Sequence, residues 1–304
     1  MLFLSMSVIW GIPYLLIRVA IRDLSPPTLV FARTFPAAVL LLPIALYRGH
    51  IRSLLEHWRW IALFALVELT IPWLLLSRAE QHLTSSTAGL LIASVPFIAA
   101  VVYRLSPHTD RLNRRRLIGL LVGFGGVAVL VGIDVSHSDL LALGEMGVVA
   151  LGYSLGPLII SRRLSELPSL AVVSVAMTLT ALVYAPFALT NIPRHVSPEV
   201  GASVAGLAFV CTALAFLLFF ALIAEVGPSR STVITYINPA VAVLLGVLVL
   251  GEPFTKGLAI GFPLIVAGAV LATGREAELV AEFPEPSSDP ARPAAQGGAH
   301  TVET

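Results

Sequence analysis

The sequence predicts an all-α integral membrane protein of ten transmembrane helices, arranged as two inverted five-helix repeats. Three observations predict it. Of 304 residues, 57% are hydrophobic and only 12% are charged, against about 25% charged in an average soluble chain. The apolar residues gather in runs long enough to cross a bilayer core, which takes about 20 residues at about 1.5 Å each. The second half of the chain also repeats the first at a spacing of 143 residues. The net charge of +1 excludes the clustered basic surface of a nucleic-acid binder. One cysteine, Cys211, lies inside an apolar run, so neither a disulfide framework nor a CxxC metal site is expected. The expected partners are the lipid bilayer and a small solute, with no cofactor, no metal and no nucleic acid; monomer and homodimer are both open.

Cutting the runs at charge and at Pro, Gly, Asn or Asp clusters gives spans of approximately 2–22, 26–47, 59–79, 83–104, 116–133, 140–160, 169–190, 201–224, 229–250 and 256–274. The first begins almost at Met1, with no basic leader and no small-residue cleavage site, so it is expected to be an anchor rather than a removed signal peptide. Helices are expected because lipid supplies no partners for backbone amides and barrel strands would alternate apolar and polar residues. The basic residues set the orientation. Alternate connections and the start of the tail hold twelve of them: Arg48, Arg52, Arg59, Arg104, Arg111, Arg114, Arg115, Arg116, Arg162, Arg163, Arg230 and Arg275. The other connections hold four, Arg22, Arg78, Arg194 and Lys256. Twelve against four places both termini in the cytoplasm. Residues 275–304 carry four prolines and six acidic residues with almost no aliphatics, which reads as a disordered cytoplasmic tail.

The repeat pairs Trp10 with Tyr153, Ser86 with Ser229 and Pro96 with Pro239, each 143 residues apart. After a one-residue shift, Asp110 pairs with Glu252, Gly119 with Gly261, Gly126 with Gly268 and Gly132 with Gly274, each 142 apart. The copies cover 1–134 and 140–274. An odd number of spans per copy turns the second upside down, as in secondary transporters that bind solute near the midplane between two halves. The text of the copies is Trp10-Gly11 and Ala88-Gly89-Leu90-Leu91 to Ser94-Val95-Pro96 in the first. The second has Tyr236-Ile237-Asn238-Pro239, Leu250-Gly251-Glu252-Pro253-Phe254 and the Gly261 to Gly268 helix. This resembles the EamA type of the drug/metabolite transporter superfamily over nearly the whole chain before the tail. The first copy departs where Leu-Gly-Glu becomes Ser106-Pro107-His108-Thr109-Asp110. The resemblance implies an exporter or exchanger of a small metabolite, amino acid or drug in the cytoplasmic (inner) membrane.

Several residues are candidates for a solute cavity. Pro96 and Pro239 fall near mid-span, where proline removes a helical hydrogen bond and frees carbonyls; a simple kink is the plainer alternative. Ser94 and Asn238 stand beside them. Glu68 sits halfway along the third span, where a bare carboxylate costs several kcal/mol and must be protonated or paired. It is the candidate for proton coupling or for binding a solute amine, with a neutral carboxyl bonding to a neighbouring helix as the structural reading. Trp10, Tyr14, Tyr153 and Tyr236 offer aromatic faces with polar tips, suited to an amphipathic or cationic solute; Trp73 belongs to the same group. Arg33 either attracts an anionic group, pairs with Glu68 or snorkels to the outer interface.

Two patterns mislead. Gly123-Phe124-Gly125-Gly126 imitates a dinucleotide fingerprint without its preceding strand, and Gly119 with Gly123 makes a small-residue packing face instead. Gly152-Tyr153-Ser154-Leu155-Gly156 imitates a nucleophile elbow without its strand-to-helix context. A catalytic Ser154 in an intramembrane enzyme and a non-transporting scaffold or sensor are the two rival readings. No GxxxxGK[ST] run is present, so a gradient rather than ATP is expected to drive motion.

Overall fold

In the computed structural model, residues 2–47, 51–104, 114–134, 139–193, 195–226 and 234–282 are described; the side chain of Tyr236 is outside the description, as are Asp110, Ser229 and Arg230. Among the described residues the regular structure is helical. Six helices are long and apolar enough to cross a membrane: Pro26–Tyr47, Trp58–Ala79, Leu117–Asp134, Leu140–Leu164, Ser169–Thr190 and Pro198–Ile223. Shorter apolar helices cover Leu4–Ala20, Ser85–Ala99, Ile237–Leu250 and Lys256–Leu271.

Sidedness along each helix follows from lipid being the solvent. On Pro26–Tyr47, Arg33, Thr34, Ala37, Ala38, Leu41 and Ala45 are buried, while Phe35, Val39, Ile44 and Leu46 are exposed. Polar atoms thus turn inward and large apolar side chains outward, opposite to a soluble helix.

Helices distant in sequence pair closely. Lys256–Glu282 lies along Arg114–Asp134, Ser169–Thr190 along Pro26–Tyr47, Leu140–Ile159 against Ile71–Ala79, and Ile234–Leu250 against Ser85–Ile92. Pro198–Ala205 meets Pro13–Ala20, and Leu2–Ile9 meets Ile234–Leu250. Small residues permit the tightest of these approaches. A Cβ on Gly268 would run into the backbone of Gly123, and one on Gly261 would come 3.0 Å from the Gly126 carbonyl.

Three stretches widen to i→i+5 hydrogen bonding: Ala65–Thr70, Ile160–Leu164 and Gly206–Leu214. Such π turns leave carbonyls for side chains to satisfy. Tyr184 donates its hydroxyl to the Thr70 carbonyl at 2.8 Å, and the hydroxyls of Thr70 and Thr180 lie 2.9 Å apart.

Two apolar segments break. The first runs as Leu2–Ile9 and Pro13–Ala20 around Trp10-Gly11-Ile12. The second runs as Ser85–Ile92 and Val95–Arg104, interrupted at Ala93-Ser94. There Pro96 lacks an N–H, and Ser94 returns its hydroxyl to the Leu91 carbonyl at 2.6 Å. Pro239, by contrast, is buried inside the continuous helix Ile234–Leu250.

Candidate functional site

The interior contains charges without matching partners. Arg33 is 5% exposed. Its guanidinium lies 3.7 Å over the Trp73 ring, and Nη2 donates to the Thr212 hydroxyl at 3.3 Å. Nε has no hydrogen-bond partner. Tyr153, Cys211, Glu80 and Tyr14 lie within electrostatic reach. The Trp73 ring in turn lies beside Tyr153. A stacked, weakly hydrated guanidinium is the cation best suited to such a place, yet an underpaired buried charge costs several kcal/mol. Arg33 therefore does not snorkel.

Glu68 sits in the widened turn Ala65–Thr70. Its Oε2 is buried without a partner and rests on Gly156, where a Cβ would collide with the carboxylate. A Cβ on Gly152 would meet the Val67 carbonyl and the Pro72 ring. The two glycines of the elbow-like pattern thus make room for this turn. Ser154, between them, donates to the Ala150 carbonyl at 2.7 Å and approaches the Val95 carbonyl at 3.2 Å. Its hydroxyl is engaged with backbone.

Glu80, one residue beyond the third span, was not singled out in the sequence. It is fully buried, and neither carboxylate oxygen has a partner. Arg18 donates instead to the Glu80 main-chain carbonyl. Burial pushes the carboxyl well above the usual carboxylate range; Arg18 opposes that shift, Glu252 adds to it and Arg33 opposes it. The signal was periodicity: Trp73, Ser77 and Glu80 share one helical face, and the first two are buried as well.

Other candidates stand apart. Trp10 packs on Phe219 and Phe216, with ring centroids 4.6 and 6.0 Å away, in a cluster with Met6, Ala215 and Leu222. Ser94 and Pro96 lie at the helix break. The Asn238 carbonyl is 3.0 Å from where a Gly11 Cβ would stand, next to the buried Pro239. Tyr14 is buried, with its ring against Gly89. Tyr14 and Tyr153 thus neighbour the Arg33–Trp73 stack, whereas Glu68 reaches only as far as Tyr153 and does not pair with Arg33. Among the described residues there is no cluster of three or more His, Cys, Asp or Glu able to hold a metal.

One end of the bundle is tied by polar contacts. The Ser197 N–H and hydroxyl donate to Asp23 at 2.9 and 2.8 Å. Arg78 pairs with Glu145 at 2.9 Å, and Thr255 donates to Asp134. The Glu252 carboxylate accepts from the N–H groups of Ser85 and Ser86 and from the Ser86 hydroxyl. Beside the Arg78–Glu145 pair is a half-open cavity of about 350 Å³, lined also by Pro26, Gln81 and His82.

The model of the EamA-like transporter family matches twice, over residues 1–132 and 143–274. The chain is 28% identical over 280 residues to the uncharacterized inner membrane transporter YedA of Escherichia coli, covering 88% of each. It is 26% identical to the uncharacterized transporter YvbV of Bacillus subtilis, covering 89% of this chain and 90% of that one. A crystal structure of a protein 22% identical in sequence superposes with a TM-score of 0.64 over 90% of this chain and 96% of the other, which shows a shared fold.

Proposed function

This chain belongs to the EamA-like transporter family, and we propose that it is a secondary carrier that exports a small organic solute across the cytoplasmic membrane by alternating access. In this reading ten spans form two inverted halves, 1–134 and 140–274, with both termini in the cytoplasm and the solute site between them. The helix pairing supports the division, because it is unchanged when each helix of the first half is exchanged for its counterpart in the second. Leu140–Ile159 against Ile71–Ala79 mirrors Leu2–Ile9 against Ala215–Val226, and Pro26–Tyr47 against Gly206–Leu214 mirrors Ser169–Thr190 against Ala65–Thr70. The name of the Escherichia coli relative supports an inner-membrane location.

The observation that carries the reading is the buried Arg33, stacked on Trp73 with its Nε unfilled, within electrostatic reach of Glu80, whose two carboxylate oxygens are also unfilled. Ionisable groups inside a membrane bundle mark a transport path by default. A solute bearing polar groups would complete Arg33, with Tyr14, Trp73 and Tyr153 as walls. Glu68 holds the coupling proton, and the solute and proton act through their differing affinities for the two open states. Ser94, Pro96, Asn238 and Pro239 are the proposed remainder of the cavity wall, on the helix-four and helix-nine sides. No covalent chemistry is needed.

The test is a metabolite-wide comparison of uptake and efflux in cells with and without the protein, followed by flux of the responding solute in proteoliposomes of purified protein. Export lowered by deletion and restored by Arg33 but not by Arg33→Gln is the expected result. Sealed proteoliposomes with no protein-dependent flux of any responding solute would end the carrier reading.

A further inference from the structure

We infer that the Glu252 carboxylate is a releasable clasp that holds shut one entrance to the polar core, by gripping a hinged half-helix that covers Tyr14. This rests on the carrier reading above.

The gripped piece is Ser85–Ile92. Its first two N–H groups have no partner within the helix, and Glu252 supplies one: Oε1 accepts from Ser85 N at 2.7 Å, and Oε2 from Ser86 N at 3.0 Å and Ser86 Oγ at 2.6 Å. Negative charge at a helix N-terminus is favoured. The carboxylate comes from the opposite half of the chain, more than 160 residues away. Two glycines bring it there. Gly251 takes φ +68°, a left-handed turn that only glycine enters without strain, so that the Glu252 N–H folds back on the Gly246 carbonyl at 3.0 Å. At Gly246 a Cβ would collide with the Glu252 carboxylate and the Ser86 hydroxyl.

The half-helix is free to move as a piece because its ladder is interrupted at Ala93-Ser94, ahead of Pro96. It is also a cover. Gly89 lies on Tyr14, whose ring would be 3.3 Å from an added Cβ, and on Ala242. Swinging Ser85–Ile92 away from this end therefore uncovers Tyr14, and behind it Arg33 and Cys211. Glu252 is only partly buried, so the released carboxylate passes to water, whereas Glu80 beside it is fully enclosed.

The chain has its own reporter, since Cys211 is its sole thiol and is buried. The rate at which a membrane-impermeant maleimide alkylates Cys211 is measured on spheroplasts and on inside-out vesicles containing the full chain. On the face that carries residue 252, Glu252→Ala is expected to speed alkylation about tenfold or more, and Ser86→Ala, which removes one of the three hydrogen bonds, about threefold. Asp23→Ala, which cuts another tie at the same end, should change the rate less than twofold, because that tie does not touch Ser85–Ile92. Should Glu252→Ala fail to fold, Ser86→Ala decides. Unchanged alkylation in both clasp variants overturns the inference, and so does an equal rise with Asp23→Ala, which would mean general loosening. The readout needs no solute, so its failure and a failure of solute flux are separate results.

Discussion

The helices Trp58–Ala79 and Pro198–Ile223 stand 143 residues apart in register and share a backbone. Both widen at the same depth, in Ala65–Thr70 and Gly206–Leu214. Their chemistry is opposite. Glu68 corresponds to Cys211, Thr70 to Ala213, Trp73 to Phe216, Ser77 to Phe220 and Glu80 to Ile223. Even one contact is preserved in translation: Tyr153 lies beside Trp73, and its counterpart Trp10 packs edge-on against Phe216. The polar version flanks a stacked arginine, and the other is an aromatic cluster. A repeated backbone thus keeps its shape while, at these matched positions, the first copy carries the buried charge. Arg33 follows the rule, since its counterpart is Ala176.

The largest break of this comparison is expected at Arg33. Arg33→Gln should lower the initial rate of solute efflux in proteoliposomes by roughly two orders of magnitude, the scale of losing a charge-assisted contact of about 3 kcal/mol. Ala176→Ser, at the matching place, should leave efflux within about twofold, as small polar changes do on neighbouring helices. Equal effects at the two positions would erase the asymmetry.

Next comes the pair Glu68 and Cys211. Glu68→Gln, which fixes the neutral form, is expected to slow transport about tenfold and to remove its dependence on an imposed pH gradient, whereas Cys211→Ser retains that dependence. A wild-type rate with unchanged pH dependence in Glu68→Gln would take proton coupling away from this residue.

A third change sharpens the role of the seat. Gly156→Val forces side-chain volume onto the Glu68 carboxylate and should cost about 1–3 kcal/mol, read as a lower melting temperature in detergent. A melting temperature equal to wild type would show that Glu68 has another place to go.

The smallest effect belongs to the rim, where the halves meet through Asp23 and Ser197. The Ser197 N–H, then its hydroxyl, hold the Asp23 carboxyl below its ordinary value of 3.8. A lowered folded value stabilises above the unfolded value, and that contribution is lost as pH falls through the folded one. Asp23→Asn should therefore melt slightly earlier at neutral pH, and the gap should close as the pH drops below about 3.8. A gap that widens in acid would reverse the assignment.

Much of this was legible in the sequence. The apolar runs at 26–47 and 169–190 coincide with Pro26–Tyr47 and Ser169–Thr190, because hydrocarbon thickness sets helix length directly. The family likeness, read from Trp10-Gly11 and the Leu250 to Phe254 loop, held. The burial of Glu80 was less visible, because a charge just past an apolar run normally ends at the interface, and only the register of Trp73 and Ser77 betrays it. The direction of Arg33 depended on Trp73 and Thr212, which arrive from other helices. Proline alone did not foretell which segment breaks. Pro96 follows an interruption closed by the Ser94 hydroxyl, whereas Pro239 sits in an unbroken helix.

The widened turn Ala65–Thr70 has one more consequence. An α-helix advances about 100° per residue, so an extra residue would rotate everything after it by that angle unless a π turn accommodates it. Trp73, Ser77 and Glu80 reach the protein interior only because the turn absorbs this rotation. A chain shortened by one residue there would close to a plain α turn with those three side chains still facing inward, whereas a residue lost after the turn, with the turn kept, would swing them about 100° away.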